Sequence, residues 1–222
     1  MKKLCIFVVM GILVLILLLP NSASAYEIKG GLKIGLNMAN IHGKDVKEFE
    51  QVVGGNWESK LVFCGGGYIT LTLTEMIAIQ AEVLYTQKGA KYDMTWYDET
   101  YSAKFNFSYL EIPVLAKILI PTQSSFKPSL FAGPALALKL SGKAKSEYAG
   151  ESYEEDVEAM KGTDFGFILG AGIDFGLGGV IKGKITVDVR YNLGLTTISK
   201  KVEGESTDIK NGVFSFMIGY SF

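Results

Sequence analysis

Eight stretches of this chain alternate apolar and small or polar residues with a period of two, and that pattern constrains its fold more than any other feature. The last ten residues, 213–222, show it without a fault: Phe214, Phe216, Ile218, Tyr220 and Phe222 share one face, and Val213, Ser215, Met217, Gly219 and Ser221 the other. A period of two is a strand, since successive side chains leave a strand on opposite sides. Similar runs start near residues 28, 61, 77, 104, 129, 164 and 182. In the run around Ile185–Leu195, Ile185, Val187, Val189, Tyr191, Leu193 and Leu195 oppose Lys182, Lys184, Thr186, Asp188, Arg190 and Asn192.

The links between these runs alternate in length. Residues 41–58, 91–103, 142–161 and 196–211 form long polar links, whereas 74–75, 119–125 and 176–178 are short turns. Beyond residue 25 no apolar run reaches the roughly 20 residues of a membrane-spanning helix, so a membrane could be crossed only by a closed barrel. Long links at one end, short turns at the other and an even number of strands are the pattern of a bacterial outer-membrane barrel. The expected fold is therefore all-β: an eight-stranded antiparallel up-and-down transmembrane β-barrel, with its apolar faces toward lipid. A soluble ligand-binding barrel of eight strands is the competing architecture. It gives no reason for the asymmetry of the links.

Two irregularities are expected within one run. Phe105, Phe107 and Tyr109 have the opposite parity to the apolar residues Leu110, Ile112, Val114 and Ala116, so a bulge near Ser108 or aromatic filling of the lumen is required. Pro113 lacks a backbone donor and should disturb the strand locally.

The N-terminus reads as export. Lys2 and Lys3 precede the apolar run Leu4–Leu19, and Ala23-Ser24-Ala25 is a small-residue cleavage signal. Residues 1–25 are accordingly a signal peptide and 26–222 a single barrel domain. Cys64 is then the one cysteine of the mature part, which leaves no intramolecular disulfide. A net charge of −1 and a pI near 5.9 give no basic excess for nucleic acid.

The strands beginning Gly30-Gly-Leu-Lys-Ile-Gly-Leu-Asn-Met-Ala-Asn40, the segment Tyr109-Leu-Glu-Ile-Pro-Val-Leu-Ala-Lys117, the stretch Phe131-Ala-Gly-Pro-Ala135 and the ending Tyr220-Ser-Phe222 together resemble the outer-membrane β-barrel domain family of the small porin-family or PorT-like type. The resemblance spans essentially the whole mature chain. It implies residence in the outer membrane, contact with outer-membrane lipids and lipopolysaccharide, and insertion by the barrel-assembly machinery, for which Tyr220 and Phe222 would be the C-terminal signal. It is nearly silent on activity.

Inward parity puts Lys33, Glu82, Glu111, Lys117, Asp188 and Arg190 in a lumen that the side chains of eight strands just fill. Opposite charges confined there should pair, giving a network that plugs the barrel. The alternative is a narrow ion or solute path along the same charges. A lipid-modifying enzyme would need a serine with a histidine base. His42 is the single histidine, at the start of a long link, with Ser108 and Ser141 at comparable height but no acid patterned around them. No catalytic residues, metal site or cofactor are therefore expected, and the reading is a monomeric, non-enzymatic barrel with a structural or surface-interaction role through its long loops. Glu147, Glu151, Glu154, Glu155, Asp156 and Glu158 would make an acidic outer cap, and Trp57, Trp96, Tyr97 and Tyr101 anchors at the membrane interface.

Overall fold

The computed structural model describes residues 27–96, 99–122, 124–148, 151–177, 183–200 and 207–222. The signal-peptide segment lies outside them. In chain order the elements are β1 (Glu27–His42), α1 (Lys44–Val53), β2 (Asn56–Glu58), β3 (Lys60–Thr72), β4 (Ile77–Lys88), β5 (Lys91–Trp96), β6 (Glu99–Leu119), β7 (Phe126–Tyr148), β8 (Glu151–Asp156), β9 (Thr163–Gly176), β10 (Lys184–Gly194) and β11 (Lys210–Ser221). Among the described residues no helix is long and apolar enough to cross a membrane.

Eight of the strands close a ring in the order β1, β3, β4, β6, β7, β9, β10, β11 and back to β1, every pair antiparallel. Closure removes the free edges that an open sheet would present. The closing seam pairs Gly31 with Ser221 and Met38 with Phe214, and the Phe222 N–H donates to the Gly30 carbonyl at 3.0 Å.

The two faces of the sheet have the polarity set by the alternation. Ile34 (63% exposed), Leu36, Val83, Leu169, Val189, Phe216 and Ile218 point outward, while Lys33, Asn37, Glu82, Asp188, Arg190 and Ser215 point inward and are buried. An apolar exterior around a polar interior is stable only where the exterior solvent is lipid. β1, β4, β7 and β10 all run away from the end where the short turns lie, so the long connections gather at the other, outer end.

At that end two of the expected loops are largely strand. β6 starts at Glu99 and pairs with β5, which pairs with β2, and β7 continues to Tyr148 and pairs with β8. All six residues of β8 are exposed, and on β5 and β6 burial falls on scattered residues such as Tyr92 and Ala103, so no apolar stripe marks these hairpins. The link after β1 contains α1, whose Val46 is buried. It ends at Gly54 and Gly55, both with left-handed φ (82° and 77°) that favour glycine.

The irregularity near Ser108 is a bulge. Ser108 faces Ser141 but Tyr109 faces Lys139, so Leu140 of β7 is the extra residue. Phe107 and Tyr109 are also buried in the interior, so both of the expected accommodations occur together. At Pro113 the ladder to β4 skips from Ala81–Val114 to Leu84–Glu111 without a change of register, as a residue without an N–H requires.

Candidate functional site in the barrel lumen

Among the described residues the buried charged side chains are four cations, Lys33, Lys88, Lys117 and Arg190, and four carboxylates, Glu82, Glu111, Asp164 and Asp188. Each is carried inward by strand parity, and together they are neutral. An interior of low dielectric tolerates charges only when they are balanced and hydrogen-bonded.

They form two layers. In the one nearer the inner end, Lys33 Nζ lies 2.9 Å from Glu82 Oε1 and 3.0 Å from Asp188 Oδ2. Arg190 reaches Glu82 Oε2 through Nη1 at 2.7 Å and holds Asp188 through Nε and Nη2, both at 3.0 Å. This square of two cations and two carboxylates links β1, β4 and β10 across the bore. Rings complete it: Lys33 Nζ stands 4.6 Å from the centre of Tyr68, and the Arg190 guanidinium 5.2 Å from that of Phe131. Lys117 joins through an amide, donating to Gln80 Oε1 at 3.1 Å, and Gln80 in turn donates to Glu82.

Glu111 is in the other layer. Lys88 Nζ lies 3.3 Å from Glu111 and 3.2 Å from Asp164; Asn192 donates to Glu111 at 2.7 Å and Asn211 to Asp164 at 2.9 Å. Of the six residues named from sequence, then, four meet directly, Lys117 is attached through Gln80, and Glu111 belongs to a separate set. Lys88, Asp164, Gln80 and Asn192, whose inward parity is visible in the sequence, complete the network with Asn211, which falls in a stretch that reads as a long polar link.

Between the layers the cavity bounded by Asn37, Cys64, Thr86, Asn192 and Met217 has a volume of about 20 Å³, room for about one water molecule. Above them Phe107, Tyr109, Ala137, Met160 and Ile198 pack into an apolar stopper.

The residues of the enzymatic alternative are not assembled. Ser108 and Ser141 are cross-strand partners on β6 and β7, and the Ser108 hydroxyl is 2.9 Å from that of Tyr85 on the outer surface. His42 stands opposite Lys210 at the end of β1, which pairs with β3 and β11. Among the described residues no group of three or more His, Cys, Asp or Glu side chains is placed to hold a metal. Cys64 is a buried free thiol.

Trp57 is not an interface anchor. It packs against Phe49, Tyr92 and Phe105, with ring centres 6.2, 5.1 and 5.6 Å away, because β2 folds back over the barrel mouth. Tyr97 and the Trp96 side chain lie outside the described residues. In the outer segments Lys143 pairs with Glu154 and holds its carboxyl below the usual carboxylate range. Lys210, with the Lys44 N–H, does the same for Asp208.

A family profile described as "Outer membrane protein beta-barrel domain" matches residues 22–200. Solved structures with a similar course include Neisserial surface protein A (13% identity, 90% of this chain and 100% of that one, TM-score 0.44). They also include the outer membrane protein OprG from Pseudomonas aeruginosa (15%, 89% and 95%, 0.48) and the attachment invasion locus protein Ail of Yersinia pestis (15%, 88% and 99%, 0.40). A search of curated proteins gives no match. The chain belongs to the outer membrane protein β-barrel domain family, and its place is the bacterial outer membrane.

Proposed function

We propose that this protein is a monomeric, plugged outer-membrane barrel that acts through its outer end, as a structural or surface-interaction element and not as a pore or an enzyme. The observation that carries the reading is the Lys33–Glu82–Asp188–Arg190 square spanning the bore. Opening a path through it would separate buried partners at a cost of about 3–5 kcal/mol for each pair broken.

The raised hairpins support the second half of the reading. All six residues of β8 are exposed, and its acidic side chains face a surface rich in lipopolysaccharide, where divalent cations can bridge carboxylates to phosphate. Export by a signal peptide cleaved after Ala25 and insertion by the barrel-assembly machinery through Tyr220 and Phe222 belong to the same proposal. Recording from purified protein in planar bilayers tests the plug. A silent membrane is expected, and reproducible conductance steps would replace the plug with the narrow-pore alternative. Sequencing the N-terminus of the membrane-extracted protein should return Tyr26 first.

A further inference from the structure

Above the apolar stopper the outer end of the barrel holds an open-mouthed apolar chamber of about 450 Å³, within the range of about 300–1,000 Å³ typical of small-molecule sites. α1 and β2 fold over it, so that Phe49, Trp57 and Phe105 form one wall, while Phe107, Met160 and Ile198 line it from the stopper side. A plugged surface protein has no need of such a space.

The chemistry of the lining selects the occupant. Among the described lining residues Asp45 is the one charged group, and its carboxylate already accepts the Asp208 N–H. An anion entering would meet this carboxylate with no cation to offset it, and a cation would leave water for a single, already bonded carboxylate.

We infer that the chamber binds an uncharged small molecule with a largely apolar body, which packs against the aromatic wall and the stopper side. This goes beyond the surface-interaction reading and is independent of conductance, since the charge layers stay closed beneath it.

The test is equilibrium dialysis of radiolabelled 2-decanone against the full mature barrel in lipid nanodiscs, with empty nanodiscs correcting for partition into lipid. Saturable uptake of one equivalent is expected. A159W, which fills the chamber from its lining, should abolish it. Decanoate should compete at least tenfold less well. Heat-modifiable electrophoretic mobility confirms that the variant is folded. Uptake no greater than that of empty nanodiscs, undiminished uptake by folded A159W, or equal competition by decanoate would each overturn the assignment.

Discussion

Arg190 and Glu82 lie 108 residues apart in sequence, yet Nη1 and Oε2 meet at 2.7 Å in the middle of the barrel. The contact is one side of a balanced square, which makes the response to mutation depend on the charge left behind. E82Q leaves Lys33 and Arg190 facing Asp188 alone and should destabilise the barrel by about 3–5 kcal/mol. K33M combined with E82Q leaves one cation with one carboxylate and should be less destabilised than E82Q alone. Urea unfolding of E82Q, K33M and the double variant in detergent micelles, followed by tryptophan emission, gives the comparison; additive losses would mean that the square is not a unit.

The outward face makes a prediction that depends on the solvent. Val189 lies halfway along β10 and points away from the lumen. V189R should cost about 2–4 kcal/mol in a bilayer, the figure for an arginine on the lipid face at mid-depth. V52K, on the exposed side of α1, should change stability by less than about 0.5 kcal/mol. Equal effects in folding assays on lipid vesicles would contradict the orientation of the sheet.

Neighbouring glycines of β3 should behave oppositely. A Cβ on Gly66 would sit 2.1 Å from the Val83 carbonyl oxygen, whereas one on Gly67 would come no closer than 3.7 Å to its neighbours. G66A should therefore destabilise the barrel by about 1–3 kcal/mol through overpacking. G67A should be neutral or stabilising by up to about 1 kcal/mol, because alanine has less backbone freedom to lose on folding. Denaturant midpoints in one detergent decide it, and a reversed order would refute the close approach.

Phe222 is 72% exposed, with its backbone bonded to Gly30. F222A should therefore leave stability after refolding in detergent within about 1 kcal/mol of wild type. It should nonetheless lower the folded fraction in cell envelopes severalfold, measured by heat-modifiable mobility. If both quantities fell together, Phe222 would be a packing residue and not an assembly signal.

Strand parity was legible in the sequence because each membrane segment has one face in lipid and one in the lumen, and the period of two records that difference directly. Lys33, Glu82, Asp188 and Arg190 could be placed inside on this basis alone. Parity does not say at what height a residue lies. Height follows from the stagger between strands around the ring, which is why Glu111 was grouped with Glu82 although it bonds to Lys88 and Asn192 one layer away. The hairpins β5–β6 and β7–β8 read as loops in the sequence because their outer face is not an apolar stripe: β8 is exposed throughout, and only single residues such as Tyr92 are buried on β5. α1 leaves a faint trace, with Val46, Phe49 and Val53 at helical spacing in a segment whose other residues are polar apart from the exposed Val52. Trp57 was misplaced because an aromatic residue near a strand end suits equally a membrane boundary and a wall folded inward over the mouth.

The seam between β1 and β11 also sets an order of events. Gly31 finds its partner in Ser221, so the ring cannot close until β11 has been delivered. Until then β1 carries an open edge of unpaired backbone groups, a ready template for pairing with other chains, and the interval before closure is when the barrel is most vulnerable to aggregation.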